Sequence, residues 1–105
     1  MKLIRDRLPE IIQADHGACI HHLATPTEHR RYLAAKLVEE TAEAITAALG
    51  HGSRNVLAGE LADVLDVVHA LAAAHRISPA DLEQARTVKL GEHGGFTRGI
   101  IWHDA

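Results

Sequence analysis

A chain of 105 residues has room for one domain with a modest core, and a hydrophobic fraction of 47% with only 3% aromatics leaves Leu, Ile, Val and Ala to build it. That palette suits packed helices better than a β-sandwich. A formal net charge of -3 without a basic stripe argues against duplex nucleic acid as a partner, and no apolar run is long enough to span a bilayer. The start Met1-Lys2-Leu3-Ile4-Arg5-Asp6 lacks the apolar core of a signal peptide, and the single Cys19 cannot form an internal disulfide. Both observations place the expected protein, soluble, in the cytoplasm.

Arg5-Asp6-Arg7-Leu8-Pro9-Glu10-Ile11-Ile12 reads as a brief helix with Asp6 as its cap and Pro9 in the first turn, where few amide donors are needed. Asp15, His16 and Gly17 break it, and residues 18–23 read as an extended strap. Thr25-Pro26-Thr27-Glu28 then starts a long helix: Thr25 is the N-cap, Pro26 the first helical residue, and Glu28 completes a capping box. Leu33, Leu37, Thr41, Ile45 and Ala48 recur at helical spacing until Gly50 stops the helix.

Ser53 caps a second long helix, whose apolar band of Leu57, Leu61, Val64, Leu65, Val68, Leu71 and Ala72 ends near His75-Arg76. Ser78-Pro79 starts another helix by the same logic, running to about Leu90 and ended by Gly91, Gly94 and Gly95. The tail from Phe96 to Trp102 is expected to lie extended across the bundle, with Phe96 packing on the core and Trp102 packing or forming an interface. The fold class is therefore all-α: an antiparallel helical bundle, one domain over residues 1–105, with short extended segments at the N-terminal strap and the C-terminal tail.

Glu40 and Glu43 sit three apart on the first long helix, and Glu60 and Asp63 repeat the device on the second. Val56 and Val67 share the stripe of Glu60 and Asp63, which points these carboxylates toward protein. The turn Gly50-His51-Gly52 makes the two helices antiparallel neighbours. Two carboxylates about 5 Å apart repel by roughly 3 kcal/mol at an effective dielectric of about 20, so four converging acids call for a divalent cation. All-oxygen ligands favour magnesium, or manganese, over zinc. His21 and His22 beside Cys19 form no zinc pattern. Asp66 points away from the acidic stripe toward solvent or a salt bridge, whereas Glu39 is near enough to assist as an auxiliary ligand or water-orienting base. Lys89, Arg5, Arg7 and Arg98 can make charge-assisted bonds to phosphate oxygens.

Glu40-x-x-Glu43, sixteen residues, then Glu60-x-x-Asp63 resembles the signature of the MazG-like all-α nucleoside triphosphate pyrophosphatases, which include dimeric dUTPases and phosphoribosyl-ATP pyrophosphohydrolases. The opening Lys2 to Ile12 and the closing Lys89 through Gly94-Gly95-Phe96 are similar to a compact branch labelled phosphoribosyl-ATP pyrophosphohydrolase-like, although His93 stands where Arg or Lys is expected. The resemblance implies that Glu40, Glu43, Glu60 and Asp63 coordinate magnesium bridging a substrate triphosphate, and that water attacks the α-phosphorus to release pyrophosphate. Glu39 or Glu43 then orients that water, and Lys89 contacts phosphate.

The expected activity is hydrolysis of a nucleoside triphosphate, non-standard or deoxy, to monophosphate and pyrophosphate, with phosphoribosyl-ATP of histidine biosynthesis as the second substrate candidate. The alternative from another class is a non-catalytic helical dimerisation module. Apolar bands broader than one partner covers point to a homo-oligomer, dimer or tetramer, on either reading.

Overall fold

The computed structural model describes residues 1–50 and 52–103 and contains, among them, helices and turns but no strand. Four helices follow in order: α1 Leu8–His16, α2 Pro26–Leu49, α3 Arg54–Ala74 and α4 Pro79–His93. The all-α architecture is thus as expected from composition. His51, named above in the expected turn Gly50-His51-Gly52, lies outside the described residues, as do residues 104 and 105.

Local chemistry sets the helix starts. The hydroxyls of Thr25, Ser53 and Ser78 accept the amides of Glu28, Val56 and Asp81 at 3.2, 3.2 and 3.1 Å, so each satisfies one of the donors left open in a first turn. Pro26 and Pro79 follow two of these caps, where a missing amide costs nothing. The reciprocal half of the capping box at α2 is replaced: the Glu28 carboxylate meets His22 Nε2 of the strap at 2.8 Å. At α1 the expectation is corrected, because Arg7 rather than Asp6 occupies the N-cap and no side chain caps the helix.

Helix ends show how glycine is used. Gly50 stops α2 in an extended conformation open to other residues, but a Cβ there would lie 2.9 Å from the Thr46 carbonyl oxygen. Close approach, not backbone handedness, selects glycine at that turn. α4 runs through Gly91 to His93, three residues beyond the expected end at Leu90, because Gly94, with φ of 78° and ψ of -176°, a conformation open almost only to glycine, ends the helix. One glycine inside a helix weakens it by about 1 kcal/mol without breaking it.

Packing is concentrated between α2 and α3, with a smaller contact between α3 and α4. The seam runs along Leu33, Leu37, Glu40, Ala44 and Ala47 of α2, and along Leu57, Glu60, Val64, Val67, Leu71 and Ala74 of α3, all buried or half-buried. These alternate in steps of three and four, the spacing of antiparallel helices packed side by side. The buried face of α2 is therefore rotated from the expected Thr41–Ile45–Ala48 line, and Thr41, Ile45 and Ala48 are exposed. On α3, Leu61 and Leu65 of the expected band are likewise exposed.

Among the described residues the fully buried apolar set is small: Leu33, Ala44 and Val67. The tail does not add to it. Phe96 is 99% exposed and Trp102 83% exposed, so neither packs on this chain's core, and the tail turns through a Gly99 amide to Phe96 carbonyl bond of 3.3 Å. The radius of gyration is 17.3 Å, against about 13 Å for a compact chain of this length. No helix among the described residues is long and apolar enough to cross a membrane.

The α3–α4 turn carries strain. The Ile77 amide donates to Ala72 and the Arg76 amide to Ala73, the paired bonds of a helix end that needs a left-handed residue between them. That residue is Arg76, with φ of 61°, where a Cβ is penalised by about 1–2 kcal/mol. Arg76→Gly should therefore stabilise the protein by about 0.5–1 kcal/mol, the gain being reduced by glycine's larger unfolded-state entropy, as measured by urea unfolding.

Candidate metal centre

The antiparallel pairing of α2 and α3 puts the acids at matching heights. Glu40 lies nine residues before Leu49 and Asp63 nine after Arg54, while Glu43 and Glu60 are each six from those same helix ends. Equal rise per residue on both helices then brings the two pairs level across the seam. Glu40 and Glu60 occupy seam positions themselves, so they replace hydrophobic side chains at the centre of the interface.

Glu40, Glu60 and Asp63 each offer a carboxylate oxygen within 4.8 Å of the others. Glu40 Oε2 and Glu60 Oε2 are buried with no hydrogen-bond partner, although the Glu40 side chain is only 10% exposed. Buried anionic oxygens without partners are strongly unfavourable in a protein interior. A hard divalent cation would satisfy them, and an all-carboxylate donor set on two rigid helices fits magnesium or manganese chemistry. The donor set therefore fits the group that the sequence calls for.

Glu43 stands beside this trio rather than within it. The charge of Glu40, then burial, then the charge of Glu60 push its carboxyl above the ordinary 4.5. Glu39 differs in kind. Burial pushes it up, but hydrogen bonding and charge from Lys36, joined by Lys2, outweigh burial and the net direction is down. Its Oε1 lies 3.4 Å from Lys36 Nζ and 3.6 Å from Lys2 Nζ.

Two cations meet the cluster directly. Lys36 Nζ sits 3.2 Å from Glu40 Oε1, one helical turn away, with its side chain only 15% exposed. Burial works against its charge, yet Glu40 and Glu39 hold it above the ordinary lysine value. Sequence reading passed over Lys36, because an i to i+4 Lys–Glu pair is usual helix decoration until the acid proves to be buried. Arg5 reaches from residues 1–7 ahead of α1, an N-terminal strap distinct from residues 18–23: its Nη2 donates to Asp63 Oδ1 at 2.6 Å and its Nη1 to Asp66 Oδ2 at 2.9 Å. Asp66 is thus salt-bridged, one of the two fates expected for it, but it does not point away from the acidic stripe as expected: three residues from Asp63, it shares Arg5 with it and lines the same hollow.

Two hollows flank the acids. One of about 200 Å³, between strap and seam, is lined by Leu3, Arg5, Lys36, Glu40, Asp63 and Val67 among others. The other, shallower, adjoins Glu43, Thr46, Val56 and Glu60. Arg7, Lys89 and Arg98 are exposed and line neither hollow. The fold thus brings together Glu40, Glu43, Glu60, Asp63, Glu39 and Arg5, and leaves Arg7 and Lys89 on the surface.

The raised Glu43 carboxyl has a consequence for metal-free stability. The native chain holds this proton more tightly than the unfolded one, so the contribution is full below the ordinary 4.5 and is lost as pH rises through the raised native value. Glu43→Gln should melt above the parent at neutral pH in EDTA, and the gap should close toward pH 4. Thermal melts across that range check it.

A family model described as "Phosphoribosyl-ATP pyrophosphohydrolase" matches residues 6–87, well over half of the chain and inclusive of all four acids. Arg5 and Lys89 fall just outside the matched span. No curated protein and no solved structure matches the chain. An all-α bundle with two facing acidic pairs, and a family match that spans both, establish that the chain belongs to the phosphoribosyl-ATP pyrophosphohydrolase family, a MazG-like group of hydrolases acting on acid anhydrides.

Proposed function

We propose that this protein hydrolyses the α–β phosphoanhydride of a nucleotide triphosphate, releasing pyrophosphate and a monophosphate, with phosphoribosyl-ATP as the first substrate to consider. The family description supports that substrate and moves it ahead of the plain nucleoside triphosphate favoured by sequence reading alone. The wider reading is kept as the second, because the acids and neighbouring cations address the triphosphate, which both substrates share. Membership of a hydrolase family sets aside the dimerisation module as an alternative to catalysis.

The observation that carries the reading is the trio Glu40, Glu60 and Asp63 with two buried, unpartnered carboxylate oxygens. These residues would hold the magnesium or manganese. When bound, such an ion would act as a Lewis acid toward the phosphate oxygens, neutralising their charge and making the phosphorus more open to attack. Lys36 holds Glu40 in place through Oε1 and leaves Oε2 for the ion. Glu43, beside the trio and with a carboxyl raised by the charges of Glu40 and Glu60, serves as the base that orients and deprotonates water. Glu39, committed to two lysines and lowered, suits support better than proton transfer. Arg5, Arg7 and Lys89 are the cations proposed to contact phosphate, and of these Arg5 is the one that the fold places at the cluster.

A homodimer is part of the same proposal. The chain exposes 9003 Å², against about 5,800 Å² for a compact monomer of 11.4 kDa. The excess is ample for a permanent interface, and Leu61, Leu65, Ile101 and Trp102 supply apolar surface for it. A reducing cytoplasm is the compartment that the lone, unpaired Cys19 supports.

Pyrophosphate release with magnesium, across phosphoribosyl-ATP and a panel of ribo- and deoxynucleoside triphosphates, tests the activity; no release from any of them would overturn it. Glu60→Gln and Asp63→Asn should each lower turnover at least about 100-fold. Glu43→Gln should do likewise with Mn²⁺ affinity little changed, while Glu39→Gln stays within a few-fold of the parent. Sedimentation equilibrium should return about twice 11.4 kDa, and a monomer at micromolar concentration would remove the dimer.

A further inference from the structure

Lys36 and Arg5 both neutralise the acidic cluster, but they are anchored differently. Lys36 is nearly buried within α2 and bound to Glu40 and Glu39 of its own helix. Arg5 lies ahead of α1, tied to it by the Leu8 amide donating to the Arg5 carbonyl at 3.0 Å; its side chain is 59% exposed, and its two bonds go to carboxylates three residues apart on α3. One of those carboxylates, Asp63, is also a member of the trio that would hold the ion. The other, Asp66, lies outside the trio and lines the same hollow as Arg5.

A guanidinium 2.6 Å from Asp63 Oδ1 would share this carboxylate with a cation held by the trio, and two positive groups on one carboxylate repel. Binding of one must then weaken the other, by reciprocal linkage. Arg5 also lines the 200 Å³ hollow whose mouth the strap residues Leu3 and Ile4 help to form. Released from Asp63, it keeps its bond to Asp66 and turns a free edge of the guanidinium toward any anion in that hollow.

We propose that Arg5 is a cation-operated latch: it holds Asp63 while the centre is empty of metal, yields Asp63 when a divalent cation binds, and then engages the polyphosphate that follows. This rests on the reading of Glu40, Glu60 and Asp63 as a metal centre. It makes the order of loading a property of the chain, with cation binding freeing the group that receives the anion.

Mn²⁺ binding, followed by electron paramagnetic resonance of the free ion without nucleotide, separates the possibilities. Arg5→Gln should bind Mn²⁺ about fivefold or more tighter than the parent, and should bind inorganic tripolyphosphate several-fold more weakly once Mn²⁺ is saturating. Unchanged or weaker Mn²⁺ binding by Arg5→Gln would overturn the latch while leaving the metal centre intact. Failure of the parent to bind Mn²⁺ at millimolar concentration would remove the metal centre itself. Hydrogen exchange of residues 2–6 in the parent protein gives a second readout that needs no variant: faster with Mn²⁺ alone and slower again with Mn²⁺ plus tripolyphosphate. Exchange unmoved by Mn²⁺ would count against the latch.

Discussion

Repulsion among carboxylates placed in a helix seam governs this protein. Two antiparallel helices normally meet through apolar side chains, yet α2 and α3 set Glu40 and Glu60 at seam positions and Asp63 beside them. At an effective dielectric of about 20, acids this close oppose one another by a few kcal/mol per pair, comparable to a large fraction of a small domain's stability. With a buried apolar set as small as Leu33, Ala44 and Val67, the chain has little other packing with which to offset it. The fold is arranged around this conflict, through Lys36 on Glu40 and Arg5 on Asp63 and Asp66.

Rigid placement gives the conflict a use. Three carboxylates fixed on two long helices, with Glu40 Oε2 and Glu60 Oε2 buried and unpartnered, form a preorganised arrangement that would offer a doubly charged ion ligands already in position. Neighbouring acids take different roles because their surroundings differ. Glu39, one residue from Glu40, faces Lys36 and Lys2 and is held ionised, whereas Glu43, one turn further on, faces Glu40 and Glu60 and retains its proton more strongly. The same side chain, separated by four positions, thereby has its acidity moved in opposite directions.

Family membership and the exposed surface complement each other. The match across residues 6–87 establishes the hydrolase family, and the acidic trio lies within it. Outside that span lie Arg5, which pairs with Asp63 and Asp66, and the tail with Phe96, Ile100, Ile101 and Trp102 turned outward. An elongated chain with such apolar surface is under-packed by itself, and the shortfall is of the size that permanent subunit interfaces cover.

Local information was legible in the sequence. Thr25, Ser53 and Ser78 cap their helices through contacts spanning three residues, Gly50 stops α2 at the turn itself, and the Glu40/Glu43 and Glu60/Asp63 pairs follow from helical periodicity and a short connection. Decisions that depend on distant groups were not. Which face of α2 is buried depends on what α3 offers, so Ile45 points out while Glu40 points in. Phe96 was expected in the core by its chemistry alone, but no surface among the described residues comes to meet it. The partners of Asp63 and Asp66 lie 58 and 61 residues away at Arg5, and a separation of that size leaves no periodic trace. Spacing determines which acids can converge; only tertiary packing decides which of them are buried, which are paired, and which oxygen is left for an ion.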